Sequence, residues 1–282
     1  MAFARSASAA PAAAGARVVV RHSLLVRVCH WVNAVCILVM LMSGLQIFNA
    51  RPALSWGAAT NFRNPFFSMS ARESADGAVS GVTTLWGHSF DTTGLFGVSR
   101  GPGGDLEERG FPSWATLPAD QDLAMGRRWH FFFAWILVVN GLVYVVNLFA
   151  RRHIRDLLPD RAELRSIPRT AWDHLRLKFP KGDAALRYNV LQKLAYLSVV
   201  VALPILVLAG LTMSPAMDAA FPWLLDLFGG RQTARTIHFL LATYLVAFVV
   251  VHVTMALVSG VRNNMVAMIT GRYRIKEETH DA

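Results

Sequence analysis

The sequence predicts an all-α integral membrane protein, a four-helix transmembrane bundle with a long periplasmic loop between the first and second spans. Three observations lead there. The 282 residues are 54% hydrophobic but only 16% charged, whereas a soluble domain of this size carries nearer a quarter. The apolar residues gather in four blocks, 28–48, 129–149, 191–211 and 237–258, each close to the roughly 20 residues that cross a bilayer core. The basic residues collect in segments that alternate spans place on one side of a membrane.

Along the chain, residues 1–20 are rich in Ala and Ser and read as a disordered tail. The first span follows. The segment 49–126 carries aromatic fragments such as Trp86-Gly87-His88-Ser89-Phe90 and shows no helical period. A loop this long is usually functional or disordered, and its aromatics argue against disorder. The second span leads into 151–187, which holds ten Lys or Arg. The third span contains Pro204, where a kink is expected. In the short loop 212–236, residues 219–228 are apolar but too short to span. The fourth span leads to a tail over 274–282.

The net charge is +10, but its placement points away from nucleic acid. Arg5, Arg17, Arg21 and Arg27 precede or open the first span, and Arg262, Arg272, Arg274 and Lys276 follow the fourth. With the loop 151–187 they share one side, which the positive-inside rule makes the cytoplasm. Both termini are then cytoplasmic, in a multi-pass protein of the bacterial inner membrane. Cys29 and Cys36 are seven residues apart on one helix, too far for a mutual disulfide. There is no C-x-x-C-H, so covalent haem attachment is excluded.

Of nine histidines, His22, His88, His153, His174 and His280 fall outside the spans and read as loop residues. His30, His130, His238 and His252 fall inside them, and an ionisable group within a span is a functional hypothesis by default. His30 opens an outward span, while His130 and His238 open inward ones. His252 is deep in the fourth span. The depths therefore pair His30 with His252 at the inner side and His130 with His238 at the outer side. Fourteen residues separate His238 from His252, roughly 21 Å of helix. One metal ion cannot collect ligands that far apart, but each pair can clamp one flat haem b through axial imidazoles.

Arg27, Arg127 and Arg235 each stand three residues before one of these histidines, on its helix face, where a guanidinium can pair with a haem propionate. Gly44 lies on the face of His30 at the outer depth, and Gly141 on the face of His130 toward the inner one; glycine lets a macrocycle approach the backbone.

These residues resemble the four-span di-haem b cytochromes that serve as membrane subunits of hydrogenases, formate dehydrogenases and thiosulfate reductases, and most closely the thiosulfate-reductase-like branch. The resemblance covers residues 21–273. It rests on Arg27-x-x-His30-Trp31, on Arg128-Trp129-His130, on the spacing of His238 and His252, and on Arg187-Tyr188-Asn189-x-x-Gln192-Lys193. It implies two haems b, with Arg128 beside its ligand. It implies a quinone, ubiquinone or menaquinone, hydrogen-bonded by Asn189 and Gln192 near the inner haem. It implies electron transfer to or from a periplasmic redox partner, for which a molybdopterin oxidoreductase is a candidate. The first outer loop is much longer here than in simpler members. On this reading the chain is an electron-transfer subunit rather than a catalyst. The alternatives are a stand-alone oxidoreductase of the same fold, such as a superoxide:quinone oxidoreductase, a transporter that relays protons through its histidines, and a passive anchor.

Overall fold

The computed structural model describes residues 16–59, 64–151, 154–178, 182 and 186–276. Most of the expected terminal tails, with His153 and His280, lie outside the described residues. In chain order the elements are β1 (Ala16–Val20), α1 (Leu24–Asn49), β2 (Ala53–Leu54), β3 (Phe67–Glu73), β4 (Val79–Leu85), β5 (His88–Asp91), β6 (Gly97–Arg100), β7 (Leu106–Arg109) and α2 (Leu123–Ala150). Then come the short helices α3 (Ile154–Leu157), α4 (Arg161–Arg165) and α5 (Ile167–Leu175), the long α6 (Val190–Leu211), α7 (Pro215–Ala220), α8 (Pro222–Leu227), the long α9 (Arg231–Val258), α10 (Val261–Thr270) and β8 (Arg272–Lys276).

The all-α expectation is corrected: 60% of the chain is helical and 15% is strand. Helices α1, α2, α6 and α9 are each long and apolar enough to cross a membrane. They contain the four expected spans and begin one to six residues earlier, so Arg127, Arg128 and Arg235 are helical. Along α2, Phe132, Trp135, Val139, Leu142, Val146 and Phe149 are all exposed. That helical stripe would be costly in water but not against lipid tails.

The correction comes chiefly from the segment expected as an irregular loop. It forms an antiparallel sheet in the order β2-β3-β4-β5 and a β6-β7 hairpin. Asp76-Gly77 turns the chain between β3 and β4, with Gly77 at φ 80°, and a Cβ on Gly97 would collide with backbone of β3 and β4. Only Trp86 and Gly87 connect β4 to β5, both at positive φ, the geometry of a tight primed turn. At the termini, β1 pairs antiparallel with β8.

The chain divides into two compact units. The first comprises Met1–Trp31, Gly141–Ala202 and Tyr244–Ala282. Within its described part, Asp160 and Glu163 form a reciprocal cap on α4, and Lys193 bonds Glu163 at 2.7 Å. The second comprises Val32–Asn140 and Leu203–Thr243. Cys36, Met40 and Leu137 form a buried cluster there, with Val32, Phe133 and Leu203 packed around it. The strand segment is fixed to α1 by Asn49, whose carboxamide accepts from Phe111 N at 2.7 Å and donates to Phe111 O at 3.2 Å. Arg109, 1% exposed, donates to Phe111 O, Glu107, Thr116 Oγ1 and Ala119 O. A buried guanidinium with this many acceptors replaces the water it lost. Thr236 and Thr233 on α9 hold Ser55 and Gly57.

Candidate cofactor site

The second unit contains His130 on α2 and His238 on α9, with ring centres 6.2 Å apart and planes at 60°. Their positions follow from hydrogen bonds to two other helices. His130 Nδ1 lies 3.1 Å from Met40 O and 3.2 Å from Ser43 Oγ on α1. His238 Nδ1 lies 2.8 Å from Leu206 O on α6. A carbonyl oxygen only accepts, so each Nδ1 carries the proton and each Nε2 keeps its lone pair. Phe239, the neighbour of His238, packs at a tilt against Phe48 of α1 at 4.7 Å and against Phe67 of β3 at 6.0 Å. Phe111 also packs on Phe48, so the strand segment supplies part of the apolar surroundings.

The first unit contains His30 on α1 and His252 on α9, again with ring centres 6.2 Å apart, with planes at 52°. These rings are positioned by aromatic packing. Trp31 meets His30 edge-on at 5.3 Å, and Phe248 stacks on His252 at 5.7 Å. Trp31 Nε1 donates to Met268 O on α10. His30 Nδ1 is buried and has no hydrogen-bond partner among the described residues.

The two 6.2 Å separations test what the pairs can hold. Imidazoles that each bind one metal ion through a nitrogen at about 2 Å place their ring centres roughly 6 Å apart. Among the described residues no three His, Cys, Asp or Glu side chains gather for a metal ion. Each donor set is therefore a pair of imidazoles at that spacing, which suits an iron held within a planar macrocycle.

The other expected site residues fall differently. Gly44 lies against His130: a Cβ there would stand 3.3 Å from His130 Cε1. A Cβ on Gly141 would meet nothing within 4 Å. Arg27 donates to Ile269 O, while its buried Nε has no partner among the described residues. Arg235 donates to Arg51 O and lies over the Phe48 ring. Arg127 is exposed above Phe131, and Arg128 is exposed. Asn189 and Gln192 cap α6 reciprocally: Asn189 Oδ1 accepts from Gln192 N at 2.9 Å, and Gln192 Oε1 accepts from Asn189 N at 3.1 Å.

Sequence reasoning missed three residues. Gly210 on α6 faces His238, where a Cβ would stand 3.1 Å from Cε1; glycine is too common in membrane helices to flag it. His174 accepts from Asn189 Nδ2 and donates to Thr170 O, which ties α5 to the α6 cap. His22 has its pKa lowered to about 4, by burial first and then by the charges of Arg21, His30 and Arg27. Arg21 also acts on Tyr188, whose phenol burial pushes upward, so the α6 entrance lies in the electrostatic neighbourhood of His22 and His30. Nothing in the spacing of His22 or His174 signals these contacts.

A family model described as prokaryotic cytochrome b561 matches residues 21–271. The chain is also similar to a protein of Azospira oryzae described as a putative protein-methionine-sulfoxide reductase subunit YedZ1. They are 31% identical over 251 residues, 89% of this chain and 96% of the relative.

Proposed function

This chain belongs to the prokaryotic cytochrome b561 family, multi-pass membrane proteins that bind haem b and transfer electrons, and from that premise we propose that it carries electrons between the quinone pool and a periplasmic oxidoreductase through two haems b. His30 and His252 hold one haem at the inner side; His130 and His238 hold the other at the outer side. The observation that carries the reading is the presence of two imidazole pairs, each with ring centres 6.2 Å apart.

When bound, haem b supplies a one-electron ferric/ferrous couple. The residues supply the rest. The four imidazoles would supply nitrogen ligands for the haems, and the Met40 and Leu206 carbonyls fix the orientation of two of them. Phe48, Phe67, Phe111 and Phe239 exclude water beside His238. Arg27, Arg127, Arg128 and Arg235 are cationic anchors for propionates. For Arg27 and Arg235 this requires sharing the guanidinium with the carbonyls it now binds.

The distribution of Lys and Arg supports cytoplasmic termini and a periplasmic strand segment. Quinone reacts at the inner side, beside the α6 entrance. There the oxygens of Asn189 and Gln192 are committed to the cap, and Asn189 Nδ2 is shared with His174, so donation to a quinone carbonyl falls to the carboxamide N–H groups. The description of the Azospira oryzae relative supports a partner that reduces oxidised methionine in proteins, of the molybdopterin type that the sequence resemblance implies. The folded strand segment is the surface that would dock it.

The test is the haem content of the purified full chain by pyridine haemochrome with protein quantitation. Two haems per chain are expected. A value near one removes one imidazole pair from the account, and a value near zero contradicts it.

A further inference from the structure

The two imidazoles of the His130–His238 pair are seated in the same way on different helices. His130 Nδ1 reaches Met40 O, and Gly44 follows four residues later on α1. His238 Nδ1 reaches Leu206 O, and Gly210 follows four residues later on α6. In a helix the carbonyl of residue i already accepts from the N–H of residue i+4. The Cβ of residue i+4 leans back toward the helix N-terminus, over that carbonyl. A ring from a neighbouring helix reaches the oxygen's second lone pair without crowding where this Cβ is missing. The distances agree. A Cβ on Gly44 would stand 3.3 Å from His130 Cε1 and 3.5 Å from Nδ1, and one on Gly210 would stand 3.1 Å from His238 Cε1 and 3.2 Å from Nδ1.

We propose that Gly44 and Gly210 are matched positioning residues that uncover the Met40 and Leu206 carbonyls, so that His130 and His238 present Nε2 to one iron as strengthened electron donors. The inference rests on the reading that this pair holds a haem. A carbonyl accepting from Nδ1–H gives the ring imidazolate character, and a more basic axial ligand favours ferric iron. Ser43 adds to the effect at His130. Its hydroxyl donates to Val39 O at 2.7 Å, which leaves its oxygen as a second acceptor 3.2 Å from Nδ1. The His30–His252 pair lacks the device at His30, whose buried Nδ1 has no partner among the described residues. The seats therefore act on one haem only and lower its potential.

The experiment is a spectroscopic redox titration of the purified full chain, with electron paramagnetic resonance of the ferric form, for Gly44→Ala, Gly210→Ala and Ser43→Ala. His238→Ala identifies which midpoint belongs to this pair. That midpoint should shift upward in all three variants, most in Gly210→Ala, where the built Cβ is closest. Its low-spin signal should change in both glycine variants, while the other midpoint stays in place and the haem content is kept. If a glycine variant loses the haem, Ser43→Ala decides. No shift, a downward shift, or an equal shift of both midpoints overturns the proposal. Failure of the underlying reading is distinguishable, because His238→Ala would then remove no haem.

Discussion

Both histidine pairs have ring centres 6.2 Å apart, yet the two are held by different forces. His130 and His238 are oriented by hydrogen bonds to backbone carbonyls of α1 and α6, which cannot be moved without moving a helix. His30 and His252 are oriented by the faces and edges of Trp31 and Phe248. A hydrogen bond fixes both the tautomer and the donor strength of an imidazole. An aromatic contact fixes the plane of the ring but leaves its nitrogens to other partners. The same imidazole pairing is thus built once on backbone and once on packing, and the two should fail differently.

The largest effect on haem retention expected from breaking a non-ligand contact is at Phe248. Phe248→Ala removes the ring stacked on His252. A half-buried aromatic contributes somewhat less than a fully buried one, about 1–3 kcal/mol. Haem should be lost preferentially from the His30–His252 pair, read as loss of one midpoint in a redox titration. Equal loss from both pairs would show that the two share one packing unit.

Arg109→Met comes next. It leaves Ala119 O without its donor, Phe111 O with only the Asn49 carboxamide and Glu107 without its ion pair, which should cost about 2–4 kcal/mol. The cost should fall on the strand segment, as faster cleavage within residues 53–119 by a protease added outside. Through Phe67 and Phe111, the absorption of the haem beside Phe239 should shift while that of the other stays in place. Unchanged cleavage would show that Arg109 does not hold the segment.

The smallest effect is at Gln192. Gln192→Leu removes half of a reciprocal cap, about 1 kcal/mol, and one carboxamide donor. Both haems should remain, and reduction by added quinol should slow. An unchanged rate would move the quinone site away from the α6 entrance.

How much was legible in the sequence follows from what each feature is made of. The four long helices were readable because lipid-facing segments must be apolar on every face and long enough to span. The four histidines stood out because an ionisable group is rare in such a run. The strand segment was missed because its strands are short, rich in Ser and Thr, and largely half-exposed, so alternation is faint. Asp76-Gly77 was a usable turn signal, but Trp86 in the left-handed region at φ 47° is a residue that no turn preference suggests. Asn189-x-x-Gln192 has the spacing of a helix cap, but the resemblance gave these residues a quinone-binding role and the cap went unread. Gly210 became informative only beside His238, a neighbour 28 residues away in the chain.

The central claim is that His238 and His252, on one helix, belong to different haems. The most direct measurement is a redox titration with haem quantitation of His238→Ala and His252→Ala beside the unaltered chain. The account predicts that each variant keeps one haem and that the two variants lose different midpoints. Loss of the same midpoint in both, or of no haem in either, would contradict it.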